Sequence, residues 1–271
     1  MDLVVVIPVL NQVQYTQSCL DGLRGDGVAD TQIVIVDNGS TDKTAEFLAT
    51  HPDVRAIHNQ ANRGCGAAWN QGVRAFPATW TVILNNDVLI PKGWSAGLLR
   101  FAQAEHVDIV SPASCEGAMD YDFPAHAGQF MEKMAGAKRC GIANGSCFMV
   151  HRRVFDMVGL FDEDPRLGGY EDDEFFRRSR QNSFRLAITG HSFVHHFGSV
   201  TQKAIKATMG KSDASLGDRA YYRKKYRLTW VKRQRSHLYK NLIKHFWRLS
   251  ERSRYGYTLL SSRADGRFIW R

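Results

Sequence analysis

WTVILNNDVLIP, residues 80–91, decides how this chain is built. An apolar run, Val82, Ile83 and Leu84, stops at Asn85, Asn86 and Asp87 and resumes at Val88. A short β-branched run bounded by polar turn residues reads as a buried strand. Asp87 is thereby delivered to the carboxyl end of that strand, the edge at which open α/β sheets bind ligands. The same carboxylate could instead cap a helix over residues 92–100. The rest of the chain decides between the two.

Upstream, the pattern repeats. LVVVIPV (3–9) is a strand that ends near Asn11, and Tyr15, Cys19, Leu20 and Leu23 then recur at helical spacing. QIVIV (32–36) is a second strand, followed at its end by Asp37. Thr41-Asp42 can cap a helix over 43–50, residues 54–58 form a third strand, and Asn62-Arg63-Gly64-Cys65-Gly66 turns into a helix over 67–75. This β-α-β-α-β-α-β order predicts a parallel sheet covered on both faces. Asn11, Asp37 and Asp87 would then converge on one edge, which suits a nucleotide. The glycines at 64 and 66 precede a helix N-terminus, whose backbone N–H groups favour an anion. The stretch is not a Walker loop, and Trp69 stands where GxGxxG would need its third glycine.

Downstream, the spacing predicts a helix over 94–104 and a strand over 107–111. Residues 114–140, rich in Gly, Ala and Met, read as a long loop of the lid or acceptor-binding kind. A strand over 147–151 and a helix over 152–158 follow. A helix over 170–182 begins with Glu171-Asp172-Asp173-Glu174 and ends in arginines, which suits the helix dipole. Residues 186–189 and 192–194 read as two short strands before His195-His196. Residues 218–249 read as helical, with Tyr, Trp and Phe interleaved with Lys and Arg.

At 271 residues and 30.6 kDa the chain makes one large domain, alone or with an appendage. No apolar run approaches the length of a transmembrane helix, and no basic stretch precedes Leu3 as a secretory signal would require. The five cysteines show no CxxC spacing, so free, buried thiols in a reducing cytoplasm are expected. The net charge of +9 is unevenly spread: residues 1–202 hold 17 Lys+Arg against 23 Asp+Glu, residues 203–271 hold 19 against 4. An acidic body with a basic tail suggests an anionic partner for the tail.

VVVIPVLNQ, IVIVDNGSTD, NRGCGAAWNQG, VILNNDV, VHRRVFDMVGLFDE, GYEDDEFFRR and HHFGSVT, in this order over residues 3–201, resemble family 2 glycosyltransferases. RAYYRKKY resembles a basic aromatic element that often follows that core. The resemblance implies an α/β fold of the GT-A type, a Rossmann-like three-layer α/β/α sandwich with a mostly parallel central sheet, plus a basic helical C-terminal tail. It implies a GT-A domain over 1–202, with a nucleotide-binding half (1–90) and an acceptor-binding half (91–202), and a mainly helical extension over 203–271.

The same resemblance assigns roles. Asp172 is the catalytic base, with Glu171 its neighbour. Pro8, Asn11, Asp37, Asn62, Arg63, Gly66, Asn70 and Asn86 bind the donor. Asp87 and His195 (rather than His196) hold Mn²⁺ or Mg²⁺, with Asn85 in place of the first Asp of the family's DxD motif. Asn144, Gly145, Arg152 and Asp173 shape the acceptor pocket, and Ser199 and Thr201 lie near phosphate.

The reading that follows is an inverting, metal-dependent glycosyltransferase of cell-surface polysaccharide synthesis. It would use a UDP- or dTDP-linked sugar and a glycan or lipid-linked glycan acceptor. It is expected in the cytoplasm, with residues 203–271 in peripheral contact with anionic lipid at the inner face of the plasma membrane. A nucleotidyltransferase of the same fold would need a basic, Gly-rich loop after the first strand, and PVLNQVQ has neither feature. A non-catalytic relative binding RNA or membrane through its tail leaves the acidic quartet unexplained, and nucleic acid is the less favoured partner.

Overall fold

Strand β1 (Leu3–Val9) sends alternate side chains to opposite sides of the sheet. Leu3, Val5, Ile7 and Val9 pack with Cys19, Leu20 and Leu23 of α1 (Val13–Gly25) and with Trp94 and Leu98 of α4 (Trp94–Glu105). Val4 and Val6 pack with Ala68, Trp69 and Val73 of α3 (Cys65–Ala75). A strand covered on both faces needs consecutive apolar residues, and LVVVIPV supplies them. Helix α3 comes so close that a Cβ on Gly72 would lie 2.4 Å from a Val6 methyl carbon. The computed structural model describes residues 2–198, 200 and 219–271, and it is the expected three-layer α/β/α sandwich.

In the first half, β2 (Ile33–Asp37) and β4 (Trp80–Leu84) flank β1 in parallel, and β3 (Arg55–His58) lies outside β2. Helix α2 (Thr44–Ala49) connects β2 to β3. Strand β5 (Val88–Leu89) follows the Asn85-Asn86-Asp87 turn. The second half changes direction. Strand β8 (Cys147–His151) runs antiparallel to β4, and β6 (Ile109–Gly117) pairs antiparallel with β8 at Ile109 and Val110 and, on its other edge, in parallel with β9 (Leu186–His196) from Ile109 to Glu116. Helices α6 (Arg152–Val158) and α7 (Glu171–Gln181) cover the α3 side. Among the described residues, five strand pairings are parallel and five antiparallel, so the sheet is mixed rather than mostly parallel.

Three parts differ from the sequence reading. Residues 114–140 are not a loop. Strand β6 runs on to Gly117, and α5 (Phe123–Met134) and β7 (Lys138–Cys140) follow. Asp122 caps α5 by accepting from the Ala125 N–H at 3.0 Å, and Phe123, Ala127, Phe130 and Met134 form its buried stripe. The two short strands before His195 are one strand, β9, interrupted by a register shift opposite Pro112 and Ala113.

The C-terminal region is helical in α8 (Arg219–Lys225) and α9 (Trp230–Tyr255), but it does not end as a helix. Strand β10 (Leu260–Ala264) adds to β6 in parallel, and β11 (Arg267–Trp270) returns antiparallel to it. Asp265 and Gly266 turn the hairpin at positive φ, as a two-residue connection requires. Arg139, 1 % exposed, grips Glu251 at 2.7 and 2.8 Å and donates to the Arg271 carbonyl at 2.8 Å. The end of the chain is thus fastened to the domain. All five cysteines are free; Cys19, Cys115 and Cys147 are buried, whereas Cys65 and Cys140 are exposed.

Candidate active site

Parallel register brings the ends of the first strands together, with Val9 beside Asp37 and Asp37 beside His58. Pro8 sits in the same register opposite Val36. Asp37 is buried; its Oδ1 accepts from the Ser40 N–H at 2.9 Å, and its Oδ2 lies 3.2 Å from His58 Nδ1. Asn11 adopts the left-handed conformation that Asn tolerates. Its side-chain oxygen accepts from the N–H groups of Thr41 and Asp42 at 2.7 and 3.2 Å. Asp42 caps Thr44. Asn38 ties this edge to the glycine turn, donating to Asn62 Oδ1 at 2.9 Å and accepting from the Arg63 N–H at 3.0 Å. Asn11, Asp37, Asn62 and Arg63 therefore belong to one loop cluster. Asn70 does not join it. Its amide is fully buried and bonds both backbone groups of Phe161 and the Glu163 carboxylate. Asn70 staples α3 to the segment before α7, so the donor-binding role is withdrawn for it.

Asp87 is 4 % exposed, and the Val200 N–H donates to its Oδ2 at 3.2 Å. His196 Nε2 lies 3.2 Å from Asp87 Oδ1, and it is a buried atom with no hydrogen bond of good geometry. Burial works against ionisation of Asp87, yet the His196 ring and the Val200 N–H hold its carboxyl below the ordinary value. The expectation for His195 is corrected. Adjacent residues of a strand face opposite ways, and His195 turns into an aromatic nest of Tyr121, Phe123 and Phe197. Its Nδ1 lies 2.8 Å from the Tyr121 hydroxyl, and burial pushes its pKa down to about 4. Asn86 is corrected as well, since it is buried and its amide donates to Thr16 Oγ1 at 3.1 Å. Ser199 and Thr201 lie outside the described residues.

The acidic quartet opens α7, and its four members face different surroundings. Glu171 is buried against the start of α3, where a Cβ on Gly66 would lie 3.4 Å from Glu171 Cγ and 2.7 Å from the Asp162 carbonyl oxygen. Gly66 thus acts by letting these elements close. Burial raises the Glu171 pKa, against backbone hydrogen bonds that lower it. Asp172 packs against Gly145, where an added Cβ would sit 1.7 Å from its Oδ2. Burial, and then the Asp173 charge, push the Asp172 pKa up to about 7. Asn144 holds the strand of backbone carrying Gly145; its N–H donates to Ser111 Oγ and its amide to Ser114 Oγ, both at 2.9 Å. Asp173 is exposed. Glu174 is consumed structurally by Arg178 at 2.8 Å and by the Tyr226 hydroxyl.

A cavity of 1230 Å³ lies beside the start of α7, lined by Asn85, Asn144, Gly145, Glu171, Asp172, Asp173 and His196; the loop cluster of Asn11, Asp37, Asn62 and Arg63, and Asp87, are not among its lining residues. Arg139, Trp270, Arg271 and one side of α9 line it as well, and the sequence reading missed them. It also missed the bracing of α7 by α8, although RAYYRKKY marked the stretch. Lys225 pairs with Asp162 and Glu174, and Tyr221 donates to Asp164 at 2.8 Å. Arg152 is corrected. Trp80 pairs with His151 and Leu84 with Cys147, and the Arg152 N–H donates to the Thr79 carbonyl, so Arg152 begins α6 at the opposite end of the strands, about 20 Å of strand from Asn85. It pairs there with Asp156 at 2.9 Å.

A mixed sheet between two helical layers, with carboxylates gathered at the parallel strands' carboxyl edge, is the architecture of the GT-A fold. The chain belongs to glycosyl transferase family 2, whose profile matches residues 4–159. It is 25% identical over 187 residues to the uncharacterized glycosyltransferase EpsJ of Bacillus subtilis, covering 63% of this chain and 54% of that protein. It is 26% identical over 179 residues to the low-salt glycan biosynthesis hexosyltransferase Agl10 of Haloferax volcanii, covering 60% of this chain and 57% of that one. The chain thus spans little more than half the length of these relatives. Among solved structures it resembles S. aureus TarS 1-349 (TM-score 0.57, 17% identity, 72% of this chain and 60% of that one). It also resembles the mannosyltransferase PcManGT of Pyrobaculum calidifontis (TM-score 0.53, 20% identity, 72% and 56%), solved with GDP-Man and Mn²⁺.

Proposed function

We propose that this protein is an inverting glycosyltransferase that moves a sugar from a nucleoside diphosphate, UDP- or dTDP-linked, to a hydroxyl of a glycan or lipid-linked glycan in surface polysaccharide synthesis. The observation that carries the proposal is Asp172. It is the carboxylate at the cavity whose pKa stands near 7, and a base poised near the working pH is best matched to taking a proton from a hydroxyl. As the acceptor oxygen attacks the anomeric carbon, its proton passes to Asp172 and the bond to the diphosphate breaks. One displacement with no covalent intermediate inverts the anomeric centre. Glu171, held by backbone N–H groups, and Gly145 fix where Asp172 sits.

Donor binding is assigned to Asn11, Asp37, Asn62 and Arg63, with the nucleoside at Asp37 and the diphosphate beyond the glycine turn. The relatives solved with UDP-GlcNAc and with GDP-Man support a nucleotide-sugar donor of this class. A divalent cation, Mn²⁺ or Mg²⁺, fits Asp87 and His196, because a buried ring nitrogen without a hydrogen bond stands beside a buried carboxylate. No group of three protein ligands occurs among the described residues, and Asn85 stands where the family motif has its first Asp. The donor's own phosphates would complete such a site, and the ion would offset the charge on the departing diphosphate. The basic residues of 203–271 would keep the enzyme at an anionic membrane surface on the cytoplasmic side.

The test is a screen of nucleotide sugars by thermal shift and by release of nucleoside diphosphate, with Mn²⁺, with Mg²⁺ and with chelator. Metal-dependent stabilisation and turnover by a UDP or dTDP sugar support the reading. Absence of binding and turnover across the whole panel contradicts it.

A further inference from the structure

Helix α9 carries a feature that sugar transfer does not require. Val231, Leu238, Leu242, Phe246 and Leu249 recur at spacings of seven, four, four and three, which places them on one face of the helix. They are 56, 63, 64, 66 and 56 % exposed. The domain is met by another face: Trp247 lies under the Arg139 guanidinium at 5.2 Å, and Glu251 is buried in its pair with Arg139. A row of aliphatic and aromatic side chains this long, left in water, forfeits hydrophobic free energy and marks an interaction surface.

The charge on the helix selects the occupant. WVKRQRSHLYKNLIKHFWRLSERSRY contains eight Lys or Arg and one acid, and that acid, Glu251, is already paired inside the domain. A second copy of the helix would set like charges against each other. An anionic lipid surface takes both properties at once, because acyl chains accept the apolar row while headgroups pair with the flanking cations. With so many cations α9 is not apolar enough to cross a bilayer, and none of the described helices is. It would lie in the plane of the interface.

We infer that α9 is an interfacial helix that docks this protein on an anionic membrane through Val231, Leu238, Leu242, Phe246 and Leu249. The inference narrows the proposed contact of the C-terminal region to one face of one helix. It also has a consequence for the substrate, which rests on the proposed function. Tyr239, Lys240, Lys244 and Arg248 of α9 line the cavity that holds Asp172. Docking the outer face therefore holds the cavity behind the helix, one helix diameter (~10 Å) from the lipid surface, so the acceptor is one whose anchor stays in the bilayer.

The experiment is flotation of the full chain with vesicles of phosphatidylcholine alone and with about one third phosphatidylglycerol, at low and high salt. The variant is Leu242→Glu with Phe246→Glu. Both side chains are about two-thirds exposed, so the fold and donor hydrolysis should be unchanged. The expected result is binding to anionic vesicles only, weakened by salt, and reduced at least about tenfold per apolar group removed. Equal binding to neutral vesicles, no binding at low salt, or wild-type binding by the variant overturns the inference. So does a wild-type dimer that the variant dissolves, which would make the face a contact between copies, or variant-sensitive binding to RNA in place of vesicles. Donor hydrolysis, measured alongside, reports separately on the proposed activity.

Discussion

Replacing Asp172 by Asn should have two effects of opposite sign, one on rate and one on stability. The amide cannot take the acceptor's proton, so kcat/KM for transfer should fall by about 10²- to 10⁴-fold. The carboxyl's pKa stands near 7 against an ordinary 3.8, chiefly because burial resists its ionisation. A raised acid pKa means that the folded state binds its proton more tightly than the unfolded state. Its contribution is favourable below about pH 4 and is lost as pH rises to about 7. At about 1.4 kcal/mol per pKa unit the penalty at pH 8 has an upper bound of about 4 kcal/mol, and about 2 kcal/mol is the realistic figure after screening by cavity water. The variant should therefore melt about 4–8 °C higher than the wild type at pH 8, with the difference gone by pH 4. The rate of the wild type should rise with pH through about 7, and that limb should vanish in the variant. Initial rates of nucleoside diphosphate release and melting curves across pH 4–9 check both halves. A variant that keeps more than about a tenth of the wild-type rate, or that melts lower at pH 8, would refute the assignment of Asp172 as a half-buried base.

Gly145→Ala puts a methyl group on the base, since its Cβ position lies 1.7 Å from Asp172 Oδ2; displacement of the carboxylate should cost about 100-fold in kcat/KM, seen in the same assay. His196→Ala should raise the metal concentration needed for half-maximal diphosphate release by at least about tenfold. His195→Ala should leave that titration unchanged and cost about 1–3 kcal/mol in urea unfolding, because the Tyr121 hydroxyl loses its partner. Arg139→Ala strands the Glu251 carboxylate and should destabilise the domain by about 3–5 kcal/mol in urea, while Arg139→Met with Glu251→Leu should recover most of the loss.

The first half of the chain was legible because β1, β2 and β4 are buried on both faces and its helices on one, so each prints its own period. β1, β4, β8 and α6 fall where the spacing puts them. Helix α5 was missed although Phe123, Ala127, Phe130 and Met134 recur at helical spacing and Asp122 signals its start; Pro124 and Gly128 inside it, and the Gly and Ala residues around it, suit a loop. Strands β10 and β11 could not be read locally. Residues 260–264 carry little hydrophobic signal, and their place beside β6 depends on pairing with a strand about 147 residues away. At the site, the acidic quartet was visible, but what separates its members is tertiary: Gly145 against Asp172, Arg178 and Tyr226 on Glu174. The two histidines show the limit most sharply. Adjacent on the chain, they differ only in which face of β9 they occupy, and only the pairing of Leu89 with His195 and Val88 with His196 settles it.

The central claim is a single in-line displacement with Asp172 as the base. Its most direct test is the anomeric configuration of the first-formed product, read by proton NMR within seconds of mixing the enzyme, metal and the nucleotide sugar selected in the screen, with water or an added hydroxyl as acceptor. The account predicts the configuration opposite to that of the donor. A product that retains the donor's configuration would contradict it.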